Sequence, residues 1–317
     1  MRYIPWDISR LSQLVDLWNS EIGSHFPMTR ELFKQNSFDD ENILPQGSWM
    51  AIDDDGQIAG FIVSKIWREK IAIPIDKKTG WVQVLIVRTS NRHSGIGSAL
   101  LEKSEKAFRD NNCKKVLLGR DPYHYFPGIP KDDVNTKKWF ELKGYQAGGV
   151  EADLIQHYQT TDKIARPEFK DIQFTLLQEN EKEQLLSFLH RCFPGRWEYE
   201  AHHYFRKGGI GREFVLLKKN GNIIGFCRIN DPDSPFIAQN VYWAPLFKEP
   251  LGGIGPLGIE RTERNNGYGL AIVQAAVSFL RDRGIDRIVI DWTGLTKFYG
   301  KLGFRTWKEY QQFYKAL

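Results

Sequence analysis

The chain has 317 residues, 41% of them hydrophobic and 13% aromatic, enough for two domains of ordinary size. Its net charge is +5, but the Lys and Arg residues are spread along the chain and no nucleic-acid motif accompanies them, so a nucleic-acid partner is not expected. No stretch approaches the roughly 20 apolar residues of a membrane span. Residues 1–7 lack the apolar run of a signal peptide, and Cys113, Cys192 and Cys227 stand far apart without a C-x-x-C or Cys/His pattern. The expectation is a cytoplasmic protein with structural thiols, no membrane partner and no metal.

In chain order, Ile8, Leu11, Leu14, Val15 and Trp18 share one face and predict a helix over 8–20, with Asp7 as its cap. A short helix is expected over 28–35. Residues 49–52 and 58–63 flank Asp54-Asp55-Gly56 and predict a hairpin. A strand over 81–87 then runs into Arg92-His93-Ser94-Gly95-Ile96-Gly97. The helix that follows places Ile96, Leu100, Ser104 and Phe108 on one face and stops at Asn112, before a strand at 115–118. Asp121 to Pro130, with its prolines and glycine, reads as a structured loop that either covers the cleft of the first half or touches the second. The polar, poorly periodic stretch 159–167 marks a boundary, giving domains 1–163 and 164–317.

The second half repeats this order. Helices are expected over 179–188 and 196–206, and a hairpin over 214–217 and 223–227 turns at Asn220-Gly221. The segment 253–259 leads into Arg264-Asn265-Asn266-Gly267-Tyr268-Gly269, and the next helix shows Tyr268, Ile272, Ala276 and Leu280 on one face before Gly284. Gly95 and Gly267 are 172 positions apart, as are Gly97 and Gly269, and Asn112 and Gly284. Trp139 to Tyr145 and Phe298 to Phe304 also correspond, at a spacing of 159, so the first half carries 13 extra residues ahead of its last helix. This period is domain-sized, far longer than that of a solenoid. Strands mixed with helices, with a hairpin ahead of each glycine pair, predict an α/β fold with a mixed sheet covered by helices. A doubly wound dinucleotide fold lacks support, because neither loop has the third glycine. A Walker A loop is excluded, because no G-K-[ST] follows.

A glycine loop that exits a strand and opens a helix is a device for holding a diphosphate: unpaired N–H groups and the positive end of the helix dipole face the anion, and glycine lets the main chain approach it. With two such loops, each followed by a Gly-[Phe/Tyr] ending, the chain resembles tandem members of the GCN5-related N-acetyltransferase family. That family's loop pattern is [Arg/Gln]-x-x-Gly-x-[Gly/Ala], and its late Phe-Tyr-x-Lys-x-Gly-Phe signature appears at 298–304. The resemblance covers nearly the whole chain. It implies two domains, each a mixed, mostly antiparallel sheet flanked by helices, and acetyl-CoA as cofactor. Carried over residue by residue, the cofactor positions are Val87, Arg92, Gly95, Gly97 and Ser98 in the first half, and Ile259, Arg264, Gly267 and Gly269 in the second. Thr89 and Arg261 stand where a proline is frequent in the family, and Trp292 where many relatives carry asparagine.

The activity implied is transfer of an acetyl group to the primary amine of a small molecule by direct attack. Such a reaction gains from backbone donors for the thioester oxygen and from a proton for the departing thiolate. The resemblance makes Tyr299 the proton donor. Phe140 holds the matching place in the first half, so the second half is expected to be the catalytic one. Tyr123 or Tyr125 is the substitute donor if the first half reacts. Asp291, at a strand end, is either a base or a carboxylate capping a turn. Glu198, Glu200, His202 and His203 lie in the segment that resembles the family's acceptor wall. Trp197, Tyr199, Tyr204 and Phe205 either line an acceptor pocket or belong to the core. A non-catalytic acyl-CoA-binding or regulatory protein of the same fold is the alternative function. A tandem aminoacyl-transferase fits less well, since it typically lacks so clean a loop.

Overall fold

A computed structural model describes every residue, 1–317. Contacts divide the chain into two compact units: unit 1 holds residues 1–71, 75–151 and 309–317, and unit 2 holds 72–74 and 152–308. This division departs from a single cut between 163 and 164. The polar stretch 159–167 lies inside unit 2, and residues 309–317 belong with unit 1.

Unit 1 opens with β1 (Arg2–Pro5), which sequence pattern alone did not reveal. Asp7 accepts a hydrogen bond from the Ser9 N–H at 2.9 Å and starts a 3-10 turn over Ile8–Arg10. That turn takes the first residues of the expected helix, so α1 runs Leu11–Ile22. Thr29 caps α2 (Arg30–Ser37) by accepting from the Leu32 N–H. Next come β2 (Trp49–Ile52), β3 (Ile58–Ile66), β4 (Thr79–Val87), α3 (Ile96–Asp110) and β5 (Lys115–Leu118). The expected loop 121–130 ends in a two-residue strand, β6 (Ile129–Pro130), because these residues pair with Gln311 and Tyr310. Then follow α4 (Val134–Leu142) and the first half of β7 (Gln146–His157). The sheet runs β1-β2-β3-β4-β5, antiparallel except for β4 beside β5. Residues 314–316 of the chain's last strand lie antiparallel against β5. Leu100, Leu101 and Phe108 of α3 pack onto Ala51, Ala59, Ile62, Val82 and Val116.

Unit 2 repeats the frame with β8 (Ile172–Leu176), α5 (Lys182–Cys192), α6 (Arg196–Arg206), β9 (Phe214–Lys219), β10 (Asn222–Asn230), β11 (Leu251–Ile259), α7 (Tyr268–Asp282), β12 (Arg287–Thr293), α8 (Thr296–Gly300) and the start of β13 (Arg305–Ala316). The β9–β10 turn uses Asn220 at φ 50° and Gly221 at φ 79°, the pair of left-handed residues that suits a tight hairpin. Its sheet runs β8-β9-β10-β11-β12, with β11 and β12 parallel, and residues 152–157 of β7 lie antiparallel beside β12. Ile272, Val273, Ala276 and Leu280 of α7 pack on Cys227, Ile229, Ile254, Ile288 and Ile290. Each fully buried aliphatic side chain of this kind contributes about 2 kcal/mol of transfer free energy.

The duplication extends to backbone angles. His93 and Asn265 take φ 63° and 69°, Gly95 and Gly267 take 85° and 79°, Asn112 and Gly284 take 59° and 76°, and Gly144 and Gly303 both take 83°. No helix is long and apolar enough to cross a membrane.

Candidate active site

Each glycine loop closes a strand that has lost one neighbour. The β4–β5 ladder ends at Val82 opposite Leu118, and the β11–β12 ladder ends at Ile254 opposite Ile290. Beyond these pairs, Leu85–Val87 and Leu257–Ile259 keep their antiparallel partners on β3 and β10, while the edges once turned to β5 and β12 are open. A bulge lies at the fork in both units. Gln83 is the extra residue of β4, and Gly255 with Pro256 opposes the single residue Arg228 in β10.

At the loops, Gly95 and Gly267 are the N-caps of α3 and α7. The first helical bonds run from the Ala99 N–H to the Gly95 carbonyl and from the Ala271 N–H to the Gly267 carbonyl. The amides of Ile96, Gly97 and Ser98, and of Tyr268, Gly269 and Leu270, therefore have no helical acceptor. Gly95 and Gly267 are exposed, and a Cβ on either would meet nothing within 4 Å, so left-handed backbone rather than space calls for glycine there. At Gly269 a Cβ would come within 3.3 Å of the Phe298 ring, a tight approach, whereas at Gly97 it would make an ordinary contact with the Trp139 ring at 3.4 Å. The donor set and its solvent-facing position fit a diphosphate. Arg92 and Arg264 each turn Nε onto the strand-exit carbonyl, of Val87 at 3.1 Å and of Ile259 at 3.0 Å, and so brace the loop. Arg92 also pairs with Glu21 at 2.9 Å.

In unit 2, α8 brings Tyr299 toward the fork. The ring is 6% exposed, and no hydrogen bond within the protein engages its hydroxyl. Burial, with Cys227 and Asp291 nearby, pushes this phenol above its ordinary pKa, so it stays protonated across the physiological range. Asp291 stands one residue past the last β11–β12 pair, and a Cβ on Gly255 would meet its Oδ1 at 3.6 Å. The carboxyl keeps a partial opening to solvent. Desolvation, the main cause, and the charges of Asp153 and Glu200 push its pKa up to about 7 against the opposing pull of Arg196. Arg196 donates to Glu200 at 2.6 Å and covers the Trp292 ring at 4.4 Å, while the Trp292 N–H donates to Asp153 at 3.0 Å.

Several other sequence candidates have structural work. Glu198 accepts from the Gly195 N–H at the start of α6 and pairs with His190 at 2.8 Å. His203 meets the Tyr199 hydroxyl at 3.1 Å. Trp197 packs on Phe193 and Phe226, and Tyr204 and Phe205 pack on Phe214, so much of the aromatic cluster is core. In unit 1, Phe140 packs on Trp139 and Tyr145 as Tyr299 packs on Phe298 and Phe304. Tyr123 is buried, and the Tyr125 hydroxyl is held by Ser37 at 2.7 Å. The sequence reading passed over Asp153, Gln83, Gly255 and Arg228. The offset that aligned the glycine loops also aligns Gln83 with Gly255, and it was the available signal.

The geometry has counterparts among known proteins. The chain is 26% identical over 104 residues to a mycothiol acetyltransferase from Thermobispora bispora, 30% of the length of each. It superposes with a TM-score of 0.88 and 26% identity on the GCN5-related glucosamine N-acetyltransferase region of a fungal multi-domain GH3 β-N-acetylglucosaminidase, covering 99% of this chain and 38% of that one. The tandem GNAT protein of the clavulanic acid biosynthesis pathway shares the fold, with a TM-score of 0.67 and 14% identity over 99% of this chain and 98% of that one. Well under half of the length of each of the first two relatives is therefore matched. The sequence model of the acetyltransferase (GNAT) family matches residues 11–125 and 182–304. A doubled frame, two diphosphate-shaped loops and two separate matches to one family make this chain a tandem member of the acetyltransferase (GNAT) family.

Proposed function

We propose that the second half of the chain, expected over 164–317 and here built on unit 2, is an acetyl-CoA-dependent N-acetyltransferase whose acceptor is the primary amine of an amino sugar. The observation that carries the reading is the Tyr299 hydroxyl, buried at its base, unengaged by protein and set near Asp291 at the fork of β11 and β12. A pure carrier protein has no use for a phenol there. The acceptor class is taken from the likeness to the fungal glucosamine N-acetyltransferase region, which extends over nearly all of this chain.

Acetyl-CoA supplies an activated acyl group as its thioester. The amides of Tyr268, Gly269 and Leu270 are suited to its diphosphate, and the open edge Leu257–Ile259 is suited to the amide groups of its pantetheine arm. The acceptor arrives as an ammonium. Asp291, with its pKa near 7, takes the proton and frees the lone pair for direct attack. Tyr299 donates to the sulfur as the C–S bond breaks, and the second proton, shed by the nitrogen as the amide forms, restores the phenol. Unit 1 has the amides of Ile96, Gly97 and Ser98 and the edge Leu85–Val87 for the same cofactor, but Phe140 has no proton to give. The alternative of a non-catalytic acyl-CoA binder therefore applies to unit 1. The free thiols, two of them buried, suit a reducing cytoplasm.

Thiol release from acetyl-CoA is the test, with glucosamine, an aminoglycoside, a polyamine and an amino acid as acceptors. The expected result is turnover with glucosamine ahead of the others. Absence of turnover with every amine would refute the activity, and a preferred polyamine would refute the acceptor class.

A further inference from the structure

Unit 2 contains a buried cation that neither the fold nor the proposed chemistry uses. Arg228 lies in β10, a strand that is apolar between Ile223 and Cys227, and is 1% exposed. It forms no ion pair. Its Nε and Nη2 atoms are buried without a hydrogen-bond partner. The guanidinium sits between two rings, 5.6 Å from the centroid of Tyr204 and 4.7 Å from that of Phe236. Glu213, next to the Phe214 that pairs with Arg228 across the ladder, is already taken by Arg212 and by the Tyr204 hydroxyl. Two residues on, the Asn230 side chain is 0% exposed and its Oδ1 also lacks a partner. Aromatic faces favour a cation, but they satisfy no N–H group. A buried charge without an anion destabilises a fold unless something else supplies the partner.

Alternation along the strands shows where this charge faces. Cys227 and Ile229 of β10 and Ile288 and Ile290 of β12 enter the core under α7. Arg228, Asn230 and Asp291 therefore share the opposite face. There α6 crosses the sheet. Arg196 near its start lies on Trp292 of β12, and Tyr204, eight residues or about 12 Å further along, lies against Arg228 and Phe214. A polar row joins the two ends. The Asn230 Nδ2 donates to Asn240 at 3.1 Å, and the Asn240 Nδ2 donates to the Gly255 carbonyl at 3.3 Å, beside Asp291. With two strand spacings between β10 and β12, the ends are on the order of 10 Å apart at the backbone.

We infer that Arg228, with Asn230, forms an anion subsite on the sheet face that also carries Asp291, and that the acceptor is an amine that also bears an oxyanion, a phosphate or a carboxylate. The inference builds on the proposed function by assigning a second recognition point on the same face. Asp291 receives the ammonium end, Arg228 pairs with the oxyanion, and the Asn230 oxygen accepts from a hydroxyl between them.

The first test does not depend on turnover. With coenzyme A saturating the diphosphate loops, inorganic phosphate is titrated into the full chain and into Arg228→Met and Arg228→Lys. Phosphate is expected to bind wild type and to bind Arg228→Met about 10- to 100-fold more weakly, with Arg228→Lys in between. Because the methionine removes an unpaired charge, the melting temperature of Arg228→Met without ligand is expected to match or exceed that of wild type. Equal phosphate affinity in wild type and Arg228→Met, or a lower melting temperature with an unchanged response to phosphate, overturns the subsite and makes Arg228 a packing residue.

The second test compares glucosamine, glucosamine 6-phosphate and glucosaminate as acceptors. Arg228→Met is expected to cut kcat/KM for the preferred charged acceptor at least about 10-fold more than it cuts kcat/KM for neutral glucosamine. The charged acceptor that loses more identifies the oxyanion. An equal loss for all three overturns the inference while the acetyltransferase reading stands. If phosphate binds through Arg228 but no amino sugar is acetylated, the acceptor class falls and the subsite stands.

Discussion

Both units place a bulge at the same point of the same strand, and the residue there sets them apart. In unit 1 it is Gln83, 2% exposed. Its amide donates to the Tyr123 carbonyl at 3.0 Å and the Asn36 carbonyl at 3.2 Å, and its oxygen accepts from Ser37 at 2.9 Å. Behind it Lys65 is wholly buried and reaches both Asp40 and Asp121 at 2.7 Å. Burial pulls that ammonium pKa down, but the two carboxylates outweigh it and hold Lys65 charged. In unit 2 the bulge residue is Gly255, with Asp291 as its near neighbour, and Asn230 stands in the ladder where Lys65 stands in unit 1. The space at the fork is filled and hydrogen-bonded in one unit and borders a half-buried carboxyl of raised pKa in the other. Duplication kept the glycine loops to within a few degrees of φ and let the fork diverge, so on the proposed function gripping a cofactor and using it are separable properties of this frame.

The contrast can be broken most severely at Asp291, which matches Gly119 of unit 1. Asp291→Asn is expected to lower kcat/KM about 10³-fold, within the general-base range, as read by thiol release. In wild type the rate falls as pH drops below about 7, because the protonated carboxyl no longer accepts a proton, and the variant loses this limb. The next effect separates the loops. Gly269→Val drives a branched side chain into the Phe298 ring and should weaken coenzyme A binding in unit 2 by about 100-fold, or ~2.7 kcal/mol, whereas Gly97→Val should affect unit 1 alone. Calorimetric stoichiometry distinguishes them, and two full sites in Gly269→Val would count against the loop assignment.

A smaller loss is expected from Tyr299→Phe, about 10- to 100-fold in kcat with cofactor affinity intact. Unchanged turnover removes Tyr299 from the mechanism. The reciprocal Phe140→Tyr should confer nothing, because Gln83 still fills the fork. The smallest effect is on stability. The carboxyl of Asp291 titrates near 7 when folded and near 3.8 when unfolded, so the native state is increasingly disfavoured as pH rises from about 4 to 7, and the full penalty persists above 7. Asp291→Asn should therefore stabilise the fold at pH 8 by about 1–2 kcal/mol after allowance for its partial solvent opening, read as a higher melting temperature, and the gain should vanish toward pH 4.

What the sequence made legible was local. The glycine loops, the amphipathic helices after them, the Asn220-Gly221 hairpin and the C-terminal turns at Asn112 and Gly284 all depend on residues near one another in the chain. Tyr299 stands out through the Phe-Tyr-x-Lys-x-Gly-Phe run that holds it, with Phe140 opposite it in the repeat, and Asp291 through its place at a strand end. Properties that depend on partners distant in sequence stayed hidden. Gln83 reads as one polar residue in a strand until Tyr123 and Ser37 come round to bind it. Arg228 reads as a strand interruption until its lack of a partner is visible. The boundary was placed in the polar stretch 159–167, yet the compact units divide inside β7, at a point that no turn residue marks. Both β7 and β13 are long strands with mixed sides, and nothing in either pattern states which sheet it will join.

The allotment of residues 309–317 to unit 1 has a consequence for biosynthesis. β5 has β4 on one side and Tyr314–Ala316 on the other. A ribosome adding about 5–20 residues per second needs roughly 8 to 30 seconds to pass from residue 151 to residue 309. Throughout that interval the nascent first unit carries a bare strand edge of the kind that recruits stray partners. Every residue of unit 2 is made before the last strand of unit 1, so the unit whose translation starts ahead of the other is completed after it.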